Sequence, residues 1–378
     1  MKRIKNGVIF QDGKWLNDHD LLLDGGSIVG IVGNDEDIDA TIIDAAGNYV
    51  VPGFINIHIH GAEGKDVMDG TEKTIRELAK FSARYGSTSF LPTTVTSSVD
   101  DTRKCLKAIK AVMESDYEGA NILGVHLEGP FIDYEYKGAQ VGSFIRDPSI
   151  DNYLEMTEGF EDIIKLITLA PEKDGAKELI QYLKSKDVTV SMGHTGANYD
   201  ECMEAFNWGV SHVTHCYNAI TPLHHRNPGA IGAAFDSESV TIELIADLIH
   251  IHPAMLRLAV KVKGSERTAL VTDSMAATNL SDGEYELGDN KVWVKDGIAR
   301  IEAGNLAGST LTQDAALRNI VDNGISLEDA ILMLTATPAS IIGVEDFKGY
   351  IKVGYDADIV VLDKNLDIDK VFVRGEAI

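Results

Sequence analysis

The chain has 378 residues, and 34 lysines and arginines against 59 aspartates and glutamates give it a formal net charge of −25 at pH 7. This charge argues against a nucleic-acid or membrane-surface binder, because such proteins need clustered cations to displace counterions from phosphates. The composition, 44% hydrophobic and 25% charged, is typical of a globular protein. No segment approaches the roughly 20 apolar residues of a membrane span. We therefore expect a small-molecule partner.

The cysteines and the N-terminus indicate where the protein resides. Cys105, Cys202 and Cys216 are widely spaced and odd in number, which gives neither a disulfide framework nor a CxxC metal site. The apolar stretch at residues 7–10 is far shorter than the core of a signal peptide. Both features predict a cytoplasmic protein.

Short strands are predicted at both ends of the chain. Residues 7–10, 20–24 and 27–32 are rich in strand-forming residues, and Gly25-Gly26 forms a natural hairpin turn between the last two runs. Residues 349–352, 358–362 and 370–374 have the same character. We expect the two termini to pair into one small β-sandwich.

Eight β-rich runs alternate with helical stretches between these ends. The runs cover residues 54–60, 88–92, 122–128, 164–169, 188–194, 212–215, 241–246 and 268–273, and helices are predicted over 72–85, 100–113, 175–185 and 199–208. Alternation implies parallel pairing, and eight repeats predict an α/β fold with a TIM-like (β/α)8 barrel. An open doubly wound sheet is the alternative. The predicted domains are the barrel, 52–344, and a β-sandwich formed by 1–51 and 345–378.

Polar residues stand at the ends of five predicted strands: His58 and His60, Glu128, His194, His215, and Asp273. The C-terminal ends of barrel strands lie on one face, so these side chains are expected to converge there. The two-residue period of a strand also points His58 and His60 the same way. Imidazole and carboxylate groups suit a divalent transition metal, above all Zn²⁺ with an open position for water. A lone strand histidine is often only a hydrogen-bonded core residue, as is expected for His126, so the metal prediction depends on the whole set.

Several segments resemble one enzyme family. Residues 52–61 read PGFINIHIHG, which resembles the opening motif of the amidohydrolase superfamily. Residues 125–131 read VHLEGPF, which resembles the N-acetylglucosamine-6-phosphate deacetylase family within it. Further similar segments are MGHT at 192–195, THCYNA at 214–219, HRNPG at 225–229, LVTD at 270–273 and LAGS at 306–309. Together they cover nearly the whole chain in order.

The resemblance implies a barrel with a β-sandwich, and hydrolysis of N-acetyl-D-glucosamine 6-phosphate to D-glucosamine 6-phosphate and acetate in amino-sugar metabolism. It assigns the main metal to Glu128, His194 and His215. Many superfamily members bridge two metals with a lysine on strand four; residues 166–170 contain none, and Glu128 would replace it. Because His58 and His60 are present, a second metal site is available. The sequence leaves open whether one or two ions bind, and whether the metal is Zn²⁺, Fe²⁺, Mn²⁺ or Co²⁺.

The same resemblance assigns the acid/base role to Asp273 and implies a homodimer. The implied substrate contacts are Ala139, Gln140, Asn218, Ala219, Arg226, His250, Leu306, Ala307 and Gly308. Arg226 or His250 is expected to come from a neighbouring chain. Some family members have a histidine at the position of Gln140, so the carbonyl-polarising role stays open. Leu248 stands where family members usually have glycine.

Two other functions are compatible with the motifs. The first is a deacetylase of another N-acetylated sugar phosphate, such as the galactosamine epimer, or a different amide hydrolase. The second is a non-catalytic binding protein of the same fold. Loss of a metal ligand or of the acid/base aspartate would indicate the second, and none is lost.

Overall fold

Twenty-four strands and ten α-helices make up the structure, a computed structural model that describes residues 1–378. The strands in chain order are β1 Lys2–Lys5, β2 Val8–Gln11, β3 Lys14–Leu16, β4 His19–Asp24, β5 Ser27–Gly33, β6 Thr41–Asp44, β7 Tyr49–Pro52, β8 Phe54–Ile59, β9 Gly61–Ala62, β10 Lys65–Asp66, β11 Ser87–Thr94, β12 Asn121–Ile122, β13 Val125–Glu128, β14 Ile164–Leu169, β15 Thr189–Met192, β16 Val210–Val213, β17 Thr241–Ile245, β18 Thr268–Val271, β19 Gly283–Leu287, β20 Asn290–Lys295, β21 Ile298–Arg300, β22 Ile359–Leu362, β23 Ile368–Val373 and β24 Glu376–Ala377. The helices are α1 Glu72–Arg84, α2 Val99–Met113, α3 Ile150–Thr157, α4 Ala176–Lys184, α5 Tyr199–Trp208, α6 Gly229–Asp236, α7 Pro253–Lys263, α8 Gln313–Asp322, α9 Leu327–Leu334 and α10 Ala336–Ile341. None of these helices is long and apolar enough to span a membrane.

Eight strands form the predicted barrel. β8, β11, β13, β14, β15, β16, β17 and β18 pair in parallel in this order. The circle closes after β18, where Ile59 bridges Ser274 and the Asp273 amide donates to the His58 carbonyl at 3.0 Å. The eight-stranded TIM-like barrel is therefore confirmed. Its closure brings the first and last strands, and the polar residues at their ends, side by side.

Side-chain caps account for the starts of three of the four helices that the sequence indicated, namely α1, α2 and α5. The Asn198 side chain accepts from the Asp200 and Glu201 amides, and the Glu201 side chain accepts from the Asn198 amide. This capping box explains why α5 begins at Tyr199, as predicted. The predicted helices over 72–85, 100–113 and 175–185 correspond to α1, α2 and α4, within one residue at each end. These helices pack around the barrel and hold its strand ends in place.

The termini form two further sheets. One has the order β5-β4-β1-β6, and the other has the order β24-β23-β22-β7-β2-β3 and so joins both ends of the chain. Ile4, Leu21, Val50, Ile359 and Phe372 belong to the core between these sheets. The β-sandwich built from both termini is confirmed, whereas the domain boundaries 1–51, 52–344 and 345–378 stay a prediction.

Two segments differ from the sequence expectations. The predicted strand at 349–352 is wrong, because this segment is an irregular link in which Gly349 has a φ of 83° and Ile351 is buried against the sandwich. The antiparallel sheet β19-β20-β21 was not expected. Its turn lies over the C-terminal rim of the barrel, where Asn290 Nδ2 donates to the Ala139 carbonyl at 2.6 Å.

Candidate active site

Glu128, His194 and His215 bring three ligand atoms together at the C-terminal rim. Glu128 Oε1 lies 3.2 Å from His194 Nε2 and 3.1 Å from His215 Nε2, and the two nitrogens are 3.1 Å apart. These separations fit a metal ion, since bonds of about 2.0–2.2 Å in a tetrahedron place ligand atoms roughly 3.3 Å apart. His194 Nδ1 donates to the Tyr136 carbonyl at 2.9 Å, so its Nε2 presents a lone pair to the cluster.

His58, His60 and Asp273 form a second cluster beside the first. The two Nε2 atoms are 3.2 Å apart, and Asp273 Oδ1 lies 3.5 Å from that of His58 and 3.2 Å from that of His60. His60 Nδ1 donates to the Thr93 carbonyl at 3.1 Å, which leaves its Nε2 free to act as a ligand. Glu128 Oε2 lies 3.3 Å from His60 Nε2. The two oxygens of Glu128 therefore face different clusters.

Burial and mutual attraction shift the pKa values of these groups. Burial works to raise the pKa of Glu128, but the surrounding histidines hold it well below its usual range. Burial also works to raise the pKa of Asp273, but the neighbouring His58 and His60 lower it below its usual value. Burial works to lower the pKa of His215, yet its hydrogen bond to Glu128 raises it to about 9. The metal-free cluster thus holds protons that a divalent cation would displace.

The backbone at these residues is unusual. His194, His215 and Asp273 have φ values of 49°, 29° and 48°, and all three are buried. Side chains rarely adopt such left-handed conformations, which persist where the surrounding structure enforces them and are common at functional sites. Gly308 has a φ of 61°, and a Cβ there would lie 2.9 Å from the Asp273 carbonyl oxygen. The rim therefore requires glycine at 308 for the close approach of this loop to Asp273.

A pocket of about 350 Å³ opens above the two clusters. It is lined by His60, Glu128, Glu135, Tyr136, Gly138, Ala139, Gln140, His194, His215, Asn218, Ala219, His250, Asp273, Leu287, Asn305, Leu306 and Gly308. Leu287 comes from the unexpected antiparallel sheet, and Tyr136 and Gly138 come from the loop after β13. The volume suits a small polar ligand whose reacting group would lie against the carboxylates and histidines.

Comparison with known proteins identifies the family. The model of the amidohydrolase family matches residues 49–378, which is most of the chain. The chain belongs to the amidohydrolase family. Enzymes of this family act on amide bonds and are metal-dependent, in agreement with the carboxylate and histidine clusters at the rim.

Curated and solved relatives cover this amidohydrolase almost from end to end. An N-acetylgalactosamine-6-phosphate deacetylase of Escherichia coli O157:H7 is 37% identical, over 96% of this chain and 95% of its own. An N-acetylglucosamine-6-phosphate deacetylase of Bacillus subtilis is 39% identical, over 87% and 84%. A mutant N-acetyl-D-glucosamine-6-phosphate deacetylase of Mycobacterium smegmatis, solved in complex with N-acetyl-D-glucosamine-6-phosphate, superposes with a TM-score of 0.93 at 30% identity, covering 100% of this chain and 98% of its own.

The structure brings most of the predicted site residues of this amidohydrolase together. The metal and acid/base candidates form the two clusters, and Ala139, Gln140, Asn218, Ala219, His250, Leu306 and Gly308 line the pocket. His58 lies beneath the pocket floor with no exposed surface. Gln140 lines the pocket, whereas Ala307 and Arg226 do not.

Gln140 of this amidohydrolase is held by two hydrogen bonds. Its Oε1 accepts from the Thr96 amide at 2.6 Å, and its Nε2 donates to Glu128 Oε2 at 2.7 Å. Because an amide nitrogen donates and a carbonyl oxygen accepts, these partners settle the orientation of the side chain. Gln140 thus contacts the carboxylate between the two clusters and also lines the pocket.

Ala307 and Arg226 lie outside the pocket. Ala307 is fully buried, and its side chain packs in the apolar core beneath β19-β20-β21 with Val292 and Leu287. Arg226 is exposed, lines a separate surface cavity and donates from Nη1 to His225 Nε2 at 2.8 Å. The pocket of a single chain therefore lacks the arginine that the sequence assigned to it.

Sequence reasoning missed two buried polar residues below the clusters, Glu243 on β17 and His212 on β16. Glu243 accepts from His58 Nδ1 at 2.9 Å and from His212 Nε2 at 3.2 Å. Burial works to raise the pKa of Glu243, but His58 and His212 hold it well below its usual range. The sequence does hold one signal for Glu243, which is the single charge in the apolar run TIELI. An unpaired charge is costly inside a parallel sheet, so this glutamate must have buried polar partners.

Proposed function

We propose that this chain hydrolyses the acetamide of N-acetyl-D-glucosamine 6-phosphate, releasing D-glucosamine 6-phosphate and acetate, in amino-sugar metabolism. The main support for this proposal is that Glu128, His194, His215 and Asp273 converge in one small pocket. Relatives that cover nearly the whole chain carry the names of deacetylases of N-acetylated hexosamine 6-phosphates, which supports this substrate class.

The metal would be held by Glu128, His194 and His215, and His58, His60 and Asp273 would form a second subsite beside it. Two imidazoles and a carboxylate with a free position suit Zn²⁺ among the divalent ions. When bound, such an ion supplies Lewis-acid polarisation of the amide carbonyl and makes water a better nucleophile at neutral pH. Support for the donor set comes from the ligand-atom separations of 3.1–3.2 Å.

Asp273 would be the acid and base of the reaction. Its lowered pKa keeps it ionised at neutral pH, so it can accept a proton from the attacking water. The same carboxyl then delivers this proton to the amide nitrogen as the C–N bond breaks, because an amine is a poor leaving group until it is protonated. Asp273 Oδ1 lies 3.2 Å from His60 Nε2, at the edge of the pocket floor.

The sugar would occupy the pocket between the loops at 138–140 and 305–308. Asn218 and the backbone at Ala219, which has a φ of 51°, would contact the phosphate end. His250 would join them, since its Nδ1 pairs with Asp247 Oδ2 at 2.6 Å and its Nε2 is left for the substrate. Gln140 would hold Glu128 and offer its second amide hydrogen to the acetamide carbonyl.

The phosphate also requires a permanent cation, and we assign it to Arg226 from a second copy of this chain in a homodimer. Arg226 is exposed and outside its own pocket, while a guanidinium binds phosphate through two hydrogen bonds. Leu223 in the same loop, and Leu248 and Ile249 before His250, are exposed apolar residues that a partner would cover. In a chain of net charge −25, such local cations are needed to attract an anion.

We place the protein in the cytoplasm. Cys105, Cys202 and Cys216 are all unpaired and buried, and burial raises the pKa of each thiol to about 12. Such inert thiols suit a reducing compartment.

The second candidate substrate is the galactosamine epimer, because one whole-length relative bears the name N-acetylgalactosamine-6-phosphate deacetylase. Acetate release should be measured with both epimers and with unphosphorylated N-acetylglucosamine. We expect the highest kcat/KM with the glucosamine phosphate and the lowest without phosphate. A higher kcat/KM for the galactosamine epimer would reverse the assignment, and no acetate from any of the three would remove the proposed function.

A further inference from the structure

Glu243 lies in the barrel interior, directly beneath the two metal subsites. It is the third residue of β17, Thr241–Ile245, and none of its surface is exposed. Its neighbours Ile242, Leu244 and Ile245 are buried apolar residues. A carboxylate in such surroundings is stable only if its oxygens accept several hydrogen bonds.

Three groups donate to this carboxylate. His58 Nδ1 and the His215 backbone amide both contact Oε2, at 2.9 and 3.0 Å, and His212 Nε2 contacts Oε1 at 3.2 Å. His212 is held in turn, because its Nδ1 lies 2.7 Å from Thr241 Oγ1. Glu243 therefore contacts one ligand of each subsite. It contacts a ring nitrogen of His58 in the second subsite, but only the backbone amide of His215 in the first.

The contact with His58 decides which ring nitrogen faces the subsite. The ionised carboxylate of Glu243 can only accept, so the proton stays on Nδ1 and the lone pair of Nε2 points towards His60 and Asp273. His60 is held by the backbone carbonyl of Thr93 instead. His58 is thus the one histidine ligand of the second subsite whose tautomer depends on a side chain.

We propose that Glu243 is a positioning residue that sets the metal affinity of the second subsite, formed by His58, His60 and Asp273, while leaving the first subsite largely unaffected. This inference rests on the two-subsite centre given under Proposed function, but not on the identity of the substrate. Removing a carboxylate that orients a ligating histidine lowers metal affinity about 10- to 100-fold. The loss should fall on one subsite, because the contact with His215 involves only its backbone amide.

Titration of metal-free protein with Co²⁺ tests the proposal. Bound metal is counted by elemental analysis, and visible absorbance follows the coordination of each ion. The wild-type chain should bind two equivalents and His60→Ala one. Glu243→Gln keeps an acceptor oxygen but loses the charge, so we expect its second step to weaken about tenfold while the first is unchanged. Glu243→Met removes the acceptor as well and should lose the second step, as His60→Ala does.

Asp358→Asn is the matched control. Asp358 is also a buried carboxylate, but it pairs with Lys348 Nζ at 2.5 Å and accepts from Asn121 of β12, and it has no hydrogen bond to a metal ligand. This variant should unfold at lower denaturant concentration and still bind two equivalents of Co²⁺. A selective change in Glu243→Gln then cannot be attributed to general destabilisation.

Three results would overturn the proposal: an unchanged second step in Glu243→Gln, an equal weakening of both steps, or a wild-type chain that binds one equivalent only. If Glu243→Met does not fold, Glu243→Gln alone decides. None of these results depends on acetate release. Failure of the deacetylase assignment would instead appear as two normal Co²⁺ steps without acetate.

Discussion

Buried residues with left-handed backbone occur along the C-terminal rim of the barrel, whereas in the β-sandwich the residues with this backbone include several in exposed turns. At the rim, His194 and His215 are nearly inaccessible and have φ values of 49° and 29°. In the sandwich, Asn6 and Asp12 have values of 57° and 47° and are exposed. Asparagine and aspartate adopt this conformation readily in exposed turns, whereas a buried histidine stays in it where the packing around it enforces it. The unfavourable backbone conformation at the rim lowers local stability, but it places the side chains of the site.

Buried carboxylates differ between the same regions. Asp358, where the sandwich meets the barrel, is neutralised by Lys348, a permanent cation. At the rim, Glu128 and Asp273 pair with histidines instead. A lysine cannot be exchanged for a metal ion, but a histidine can release its proton and bind one. We therefore expect the carboxylate at the junction to contribute to stability, and those at the rim to contribute to metal binding and catalysis.

Asp273→Asn should have the largest effect. Loss of an acid and base lowers kcat by about 10²- to 10⁴-fold, while Glu128, His194 and His215 keep the metal of the first subsite in place. Acetate release under saturating substrate, together with metal analysis, provides the check. A kcat near that of the wild type would remove Asp273 from this role.

Asp358→Asn should lower stability and leave kcat unchanged. Breaking a buried ion pair lowers the free energy of unfolding by about 3 kcal/mol, because Lys348 is left without one of its partners. Urea denaturation measures this loss, and kcat should stay at the wild-type value. If kcat fell in proportion to stability, the two regions would not be functionally separate.

Arg226→Ala should raise KM for the phosphorylated substrate about 10- to 100-fold, because a hydrogen bond between charged groups contributes about 1.5–3 kcal/mol. The value of kcat should change little. Mixing Arg226→Ala chains with Asp273→Asn chains tests whether Arg226 acts across the dimer. Mixed dimers should contain one intact site with a low KM, whereas an arginine acting within its own chain gives no recovery.

Metal uptake should depend steeply on pH. His215 has a pKa of about 9 in the metal-free protein, so below that pH an incoming ion must displace its proton. The apparent affinity should therefore rise as pH rises towards 9, roughly tenfold per unit for each proton displaced. Metal titrations at pH 6, 7 and 8 measure this slope. An affinity independent of pH would contradict the proton-holding cluster.

Leu248→Gly should have the smallest effect. Leu248 has a φ of 64°, so glycine relieves left-handed strain and should stabilise the protein by about 0.5–1 kcal/mol after its own entropy cost. Ile249→Gly is the control, since Ile249 is similarly exposed without a positive φ and should lose stability. Equal losses for both would show that Leu248 is not strained. Denaturant midpoints of the two variants decide.

The fold could be predicted from sequence because its signals are local and repeated. Most barrel strands are short apolar runs flanked by helices, and several of these helices have a side-chain cap, as Asn198 shows for α5. The metal and acid/base candidates could be located because each stands at a strand end, and the barrel topology brings strand ends together. A strand was wrongly predicted at 349–352, where the burial of Ile351 by tertiary packing imitates a strand pattern.

The remaining features depend on contacts that the local sequence does not reveal. Glu243 resembles any polar residue in a strand until His58 and His212 are placed around it. Gln140 was linked to the substrate, and its bonds to Thr96 and Glu128 appear only when the loop after β13 is folded. The role proposed for Arg226 depends on a contact with a second chain, which the sequence of one chain does not reveal.

Acetate release as a function of restored metal tests the central claim most directly. Protein stripped with a chelator is given increasing Zn²⁺ and assayed on N-acetylglucosamine 6-phosphate. We predict no acetate from the stripped protein and a rate that rises with bound metal, with one acetate formed for each free amine. Full activity of the metal-free protein, or no acetate after the metal is restored, would contradict the account.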